Sequence, residues 1–341
     1  MRINNILLFT LVFCSLLTSS WSASAHNWVT LKIPGAKCGD GRDYEILFDK
    51  KSDRKFVFEF TPGGACWSAS TCYGPNLRTW IYPIPELPSF SMLTSDEPKH
   101  FSPFANHSLI HFPYCTGDVY AGHHVANYIG DIKTYHYGYQ NIQLALKFLT
   151  ENNYVSWNQL EEVTLWGASA GAIGAFIHTA SFDPYLQPQT RRVVIADSPG
   201  LHFGNQFWDK FPQKMFNDFQ DSFGKIHLKI EKNNGLVTEG LPAVFNYLYH
   251  WEISVLIGSR DIIMSELFGE ISMKEHHQLV MGPHGLPAIA KNFSNVNTWV
   301  KDTKMHTFLV LEKSANMKNE QHLSAFDFAV RTMNEANPES K

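Results

Sequence analysis

The segment Leu160-Glu-Glu-Val-Thr-Leu-Trp-Gly-Ala-Ser-Ala-Gly-Ala-Ile-Gly-Ala-Phe176 limits the fold more than any other part of this chain. A short apolar run (Val163, Leu165, Trp166) meets Gly167-Ala168-Ser169-Ala170-Gly171, and an Ala- and Gly-rich stretch of helical character follows. The order is strand, tight turn, helix, with one serine at the apex. Small residues flank Ser169 because a sharp strand-to-helix turn crowds the backbone. A serine held there stands at a helix N-terminus, whose free N–H groups and dipole favour developing negative charge. Five residues of Gly-x-Ser-x-Gly alone are a weak pattern; the flanking strand and helix signals make it a nucleophile elbow.

The rest of the chain is read against that turn. Trp28–Ile33 alternates like a strand, and a second follows over Tyr44–Phe48. Phe56–Phe60 is a buried strand feeding Pro62-Gly63-Gly64. Further strands are expected over Ser108–Phe112, Arg192–Ala196, Glu252–Ile257 and Thr307–Leu311, with helices over Tyr139–Leu149 and Ser324–Met333. Residues 75–105 read as a long loop or broken insertion, and 204–250 as mostly helical and irregular. Strands that alternate with helices predict an α/β-hydrolase-like fold, a mostly parallel sheet with helices on both faces. No repeat or linker interrupts residues 26–341, so one domain is expected over a length that α/β folds often use.

The first 25 residues read as a signal peptide: Arg2, then an apolar run from Ile6 to Leu17, then Ala23-Ser24-Ala25 as the cleavage site. That run is short for a membrane span, and no later segment approaches the length of one. A secreted or periplasmic product beginning near His26 is expected. Four cysteines then remain, Cys38, Cys66, Cys72 and Cys115, and in an exported chain they read as two disulfides. Three pairings are possible; spacing favours Cys66–Cys72 as a local loop, leaving Cys38–Cys115. No CxxC or HExxH spacing is present, so neither a metal nor another cofactor is expected. A formal net charge of -4, with no Lys/Arg run, gives nucleic acid nothing to bind.

Serine needs a base, and the base needs a third group to hold its tautomer. On the α/β-hydrolase scaffold the chain order is Ser, Asp or Glu, then His, each at the C-terminal end of a strand. Asp261, beyond Gly258-Ser259-Arg260, is the expected acid. Asp197, ending the preceding strand, is the alternative and also reads as a turn former. His322 is the expected base, in the loop after the last predicted strand, whereas His306 begins that strand at its wrong end. Oxyanion donors are expected from the N–H groups of Gly63, Gly64 and Ala170, with a Cys66–Cys72 bridge stiffening the glycine loop.

Gly63-Gly-Ala-Cys-Trp67 with Cys72, Pro113-Tyr-Cys-Thr-Gly-Asp-Val-Tyr-Ala-Gly122, Gly167-Ala-Ser-Ala-Gly171 and Ala196-Asp-Ser198 together resemble the pectin acetylesterase family, over about residues 37–322. The resemblance implies a serine esterase with nucleophile Ser169, acid Asp261, base His322 and donors Gly63, Gly64 and Ala170. It also implies the disulfides Cys66–Cys72 and Cys38–Cys115. Pro62 opens the glycine loop and Trp67 follows the cysteine instead of preceding it, both departures from the family pattern. The additional cysteines of animal and plant members are absent, which implies a leaner, bacterial-type member. The expected substrate is an O-acetyl or other short O-acyl ester on a polysaccharide such as pectin. A fatty-acyl esterase is the alternative if residues 75–105 and 204–250 build a deep apolar lid, and a decayed carbohydrate-binding protein is the non-enzymatic one.

Overall fold

The computed structural model describes residues 26–76, 78–82 and 91–334. The signal-peptide reading of residues 1–25 lies outside them. Eight strands form one sheet in the order β1-β2-β4-β3-β7-β8-β9-β10. They are β1 Val29–Lys37, β2 Asp43–Asp49, β3 Lys55–Phe60, β4 Ser108–Phe112, β7 Glu162–Ala168, β8 Arg191–Asp197, β9 Glu252–Gly258 and β10 Val296–Lys301. The pairs β1/β2 and β2/β4 are antiparallel; β4/β3 and every pair beyond are parallel. This is the expected α/β-hydrolase-like sheet. A separate antiparallel hairpin, β5 His124–Ile129 and β6 Ile132–His136, stands apart from it.

The period-2 pattern sorts the strands onto two faces. Phe56, Phe58 and Phe60 pack with Ile142, Leu146 and Leu149 of the helix Gly138–Glu151. Val57, Trp166, Val193, Ile195 and Leu256 pack on the other face with Ala325 and Phe328 of the helix Ala325–Asn334. Each fully buried phenylalanine or leucine contributes about 1.5–3 kcal/mol from the area it removes from water.

Two sequence expectations change here. Residues 307–311 are not a strand; the chain there is irregular and short-turned. Phe308 and Leu309 are apolar because they fill the core beside Trp299, and a buried loop residue gives the same sequence signal as a strand residue. The last strand is instead β10, an edge strand whose Asn297 and Thr298 dilute its apolar character. The hairpin β5–β6 was not expected either: its apolar Ile129 and Ile132 are exposed while polar Thr134 and His136 are buried, the reverse of the usual strand signal.

Candidate active site

Ser169 follows β7 directly and precedes the helix Ala170–Ile177, with φ 55° and ψ −121°. A non-glycine residue at positive φ is strained, and here the surroundings hold it in place. A Cβ on Gly167 would lie 2.2 Å from the Gly171 carbonyl oxygen, and one on Gly171 would lie 2.0 Å from the Phe60 carbonyl oxygen. Neither position accepts alanine without moving backbone. The Ser169 N–H donates to the Asp197 carbonyl at 2.8 Å, tying the elbow to the end of β8.

Asp261 follows β9 after Ser259-Arg260 and is buried. Its Oδ1 accepts the N–H groups of Ile263 and Met264 at 2.9 and 3.0 Å, at the start of a π-helical turn, Ile263–Gly269. Its Oδ2 lies 2.7 Å from Nδ1 of His306. The carboxylate accepts there, so in the neutral ring Nδ1 carries the proton and Nε2 the lone pair. Nε2 of His306 is buried and has no hydrogen-bond partner among the described residues.

The structure therefore gives Asp261 a different histidine from the one read out of the sequence. His322 is exposed, in the turn before the last helix, with its N–H donating to the Asn319 carbonyl. With residues 307–311 no longer a strand, His306 occupies the loop after the last strand, where a base belongs on this scaffold. Spacing alone could have found it only if β10 had been recognised.

The loop after β3 is held from several sides. A Cβ on Gly63 would lie 1.7 Å from the Tyr114 ring; one on Gly64, at φ 75°, would lie 2.1 Å from the Arg78 carbonyl oxygen. The Tyr114 hydroxyl donates to the Gly64 carbonyl and the Thr79 hydroxyl to that of Gly63, at 2.7 and 2.5 Å. Both peptide planes are thereby oriented by their oxygens. The disulfides Cys66–Cys72 and Cys38–Cys115 are formed as expected, and the Cys66 N–H donates to the Gly117 carbonyl at 2.9 Å. Asp118, within the Pro113–Gly122 segment that carries part of the family resemblance, is fully buried. It accepts from the Thr116 hydroxyl and the N–H groups of Tyr120 and Gly138, while burial pushes its carboxyl up to about 6.

Gly64, Ser169 and Ala170 share one cavity, and Ala65, not singled out in the sequence, lines it too; Gly63 sits behind, under Tyr114. The empty space there amounts to about 890 Å³, part of it open solvent. Ser169 contributes its hydroxyl; the indole N–H of Trp208 is taken by the Asn234 carbonyl. The remaining walls are apolar, and residues 200–241 supply most of them, Phe207, Phe211, Phe219, Phe223 and Leu228 among others. Among the described residues, the histidine, cysteine and acidic grouping with metal-ligand spacing is Cys66, Cys72 and His136, whose two sulfurs are joined to each other.

An elbow serine on a mostly parallel sheet, with a glycine loop beside it, is the arrangement of a serine carboxylic-ester hydrolase of α/β-hydrolase type. The chain belongs to the pectinacetylesterase family, whose profile matches residues 22–234. It is similar in fold to two crystal forms of the Wnt deacylase Notum from Drosophila. The first is 15% identical with a TM-score of 0.57, over 91% of this chain and 94% of that one. The second is 16% identical with a TM-score of 0.57, over 90% and 93%. No curated protein matches the chain. The family match ends before Asp261 and His306, so those two rest on the geometry described above.

Proposed function

We propose that this protein is an exported esterase that works through Ser169, His306 and Asp261 and takes esters whose acyl group is a hydrocarbon chain. The Asp261–His306 pair, with a free and buried Nε2, is the observation that carries the chemistry. His306 Nε2 accepts the proton of Ser169 Oγ as that oxygen attacks the ester carbonyl. Asp261 holds the tautomer and stabilises the imidazolium. The N–H groups of Ala170 and the Gly64 region receive the charge that builds on the carbonyl oxygen, each such donor contributing about 3–4 kcal/mol. His306 then returns the proton to the departing alcohol, and water, activated by the same nitrogen, releases the acid.

The apolar cavity favours a chain over an acetyl group. Each methylene transferred from water into it is worth about 0.8 kcal/mol, so four beyond acetate favour binding by about 3 kcal/mol, on the order of a hundredfold in kcat/KM. The second reading, removal of O-acetyl groups from a polysaccharide, is favoured by the family to which the chain belongs. The two disulfides and the signal-like residues 1–25 support export. Among the described residues no helix is long and apolar enough to cross a membrane.

A series of p-nitrophenyl esters from acetate to palmitate separates the readings. Rising kcat/KM to octanoate or beyond is expected; a maximum at acetate overturns the hydrocarbon reading in favour of the acetyl one. Labelling by a fluorophosphonate tests the activated serine itself. A protein that resists labelling and turns over none of the esters is the decayed binding protein instead.

A further inference from the structure

We infer that Asp197 is a positioning residue that ties the nucleophile and the base of this site to one another. The inference rests on His306 being the base. Asp197 ends β8 and is fully buried. Its backbone carbonyl accepts the Ser169 N–H at 2.8 Å. Its side-chain Oδ2 accepts the N–H groups of Phe308 and Leu309, at 2.6 and 2.8 Å, across 111 and 112 residues of chain. Its Oδ1 accepts the Ser198 hydroxyl at 3.0 Å, and Ser198 Oγ in turn accepts the Thr307 N–H at 3.2 Å. Three consecutive N–H groups immediately after His306 are therefore held by two consecutive side chains next to the elbow.

The backbone is bent to permit this. Ser198 sits at φ 58° and Thr307 at φ 63°, both in the left-handed region that side chains disfavour. Strain at two facing positions persists only where the surroundings over-determine it, and strained residues cluster at functional sites. An ionised acceptor suits the role, because hydrogen bonds to a carboxylate are shorter and roughly twice as strong as neutral ones. Asp197 makes no hydrogen bond to the His306 ring, whose Nδ1 belongs to Asp261. Its action on the base runs through the backbone of residues 307–309.

Asp197→Asn tests this with little change of volume. The expected result is a fall in kcat of at least about tenfold with KM for a p-nitrophenyl ester within about twofold. The downfield proton resonance of the His306 Nδ1–H···Asp261 hydrogen bond should broaden or move, which a purely structural role elsewhere would leave alone. An unchanged kcat with an unchanged resonance in folded Asp197→Asn overturns the inference. If Asp197→Asn does not fold, Ser198→Ala carries the test, since it removes the acceptor of Thr307 and the hydroxyl that Asp197 Oδ1 accepts while leaving the Phe308 and Leu309 bonds in place. A kcat loss at constant KM supports the inference, and wild-type kcat overturns it. His306→Ala keeps the two questions apart: activity surviving there overturns the base assignment, whereas an inactive His306→Ala beside a normal Asp197→Asn overturns the positioning role alone.

Discussion

His306 is ordinary by sequence and singular by environment. Nothing within its neighbours Met305 and Thr307 marks it, yet its ring is held by a buried carboxylate that spends its other oxygen on two backbone N–H groups. Fixing Asp261 twice over means that the imidazole it holds is fixed as well. We expect Ser169→Ala and His306→Ala each to lower kcat by about 10⁴-fold or more while remaining folded, because each deletes a group the others need. His322→Ala should stay within about twofold of wild type, since that ring is exposed and remote from Asp261 in the hydrogen-bond network. Initial rates on one activated ester, at matched folded fraction, decide it; a collapse in His322→Ala with normal turnover in His306→Ala would reverse the assignment. Asp261→Asn should cost on the order of 10³–10⁴ in kcat by leaving the imidazole in the wrong tautomer.

Among the elements, the glycine loop after β3 and the aromatic segment over residues 200–241 divide the work. The loop needs rigidity, because a donor that moves with the oxygen contributes less than one already in place. The Cys66–Cys72 bridge closes the short turn containing Ala69–Cys72, beside the Gly63 and Gly64 carbonyls held by Thr79 and Tyr114. Replacing both cysteines by serine should lower stability by about 2 kcal/mol from loop entropy. It should also lower kcat more than it raises KM, measured by denaturant melts and ester kinetics on the same preparation. Equal kcat after loss of the bridge would mean that Thr79 and Tyr114 hold the loop unaided. In the aromatic segment, the helix Gln213–Gly224 buries Met215, Phe216, Phe219 and Phe223. Phe219 and Phe223 line the cavity that Ser169 shares, and under the proposed function this element would meet the acyl group.

For the molecule as a whole, buried ionisable groups set the response to acid. Burial pushes His136, His178 and His202 down to about 3. A histidine depressed in the folded state stabilises it above its unfolded value near 6.5, and that stability is lost as pH falls towards 3. Asp118 and Asp197 oppose this: burial raises both to about 6, so each adds stability as pH falls through 6 towards the unfolded value near 4. Three histidines outweigh two aspartates, and a net loss of roughly 3 kcal/mol is expected between pH 7 and pH 5. Urea melts across that range should show it, and His178→Gln should remove about a third of the histidine share. Stability that is flat or rises on acidification would contradict the balance.

Local pattern was enough for whatever depends on neighbours in the chain. The elbow around Ser169 was legible because the tight turn brings the Gly171 carbonyl against Gly167, although Gly171 is itself kept small by the Phe60 carbonyl at the end of β3. Most strands were legible as short apolar runs, buried on both faces of the sheet, that stop at turn residues. The two cysteine pairs followed from spacing and compartment. Asp261 stood out by its place after β9, yet its partner did not. Phe308 and Leu309 looked like strand because they are apolar, whereas their N–H groups bond a side chain more than a hundred residues away instead of a neighbouring strand. The cavity was equally hidden: residues 200–241 carry aromatics that could fill a core or line a void, and only their packing around Ser169 distinguishes the two. Apolarity records that a residue leaves water, which the sequence states; where it goes is settled by contacts between distant segments, which only the tertiary structure holds.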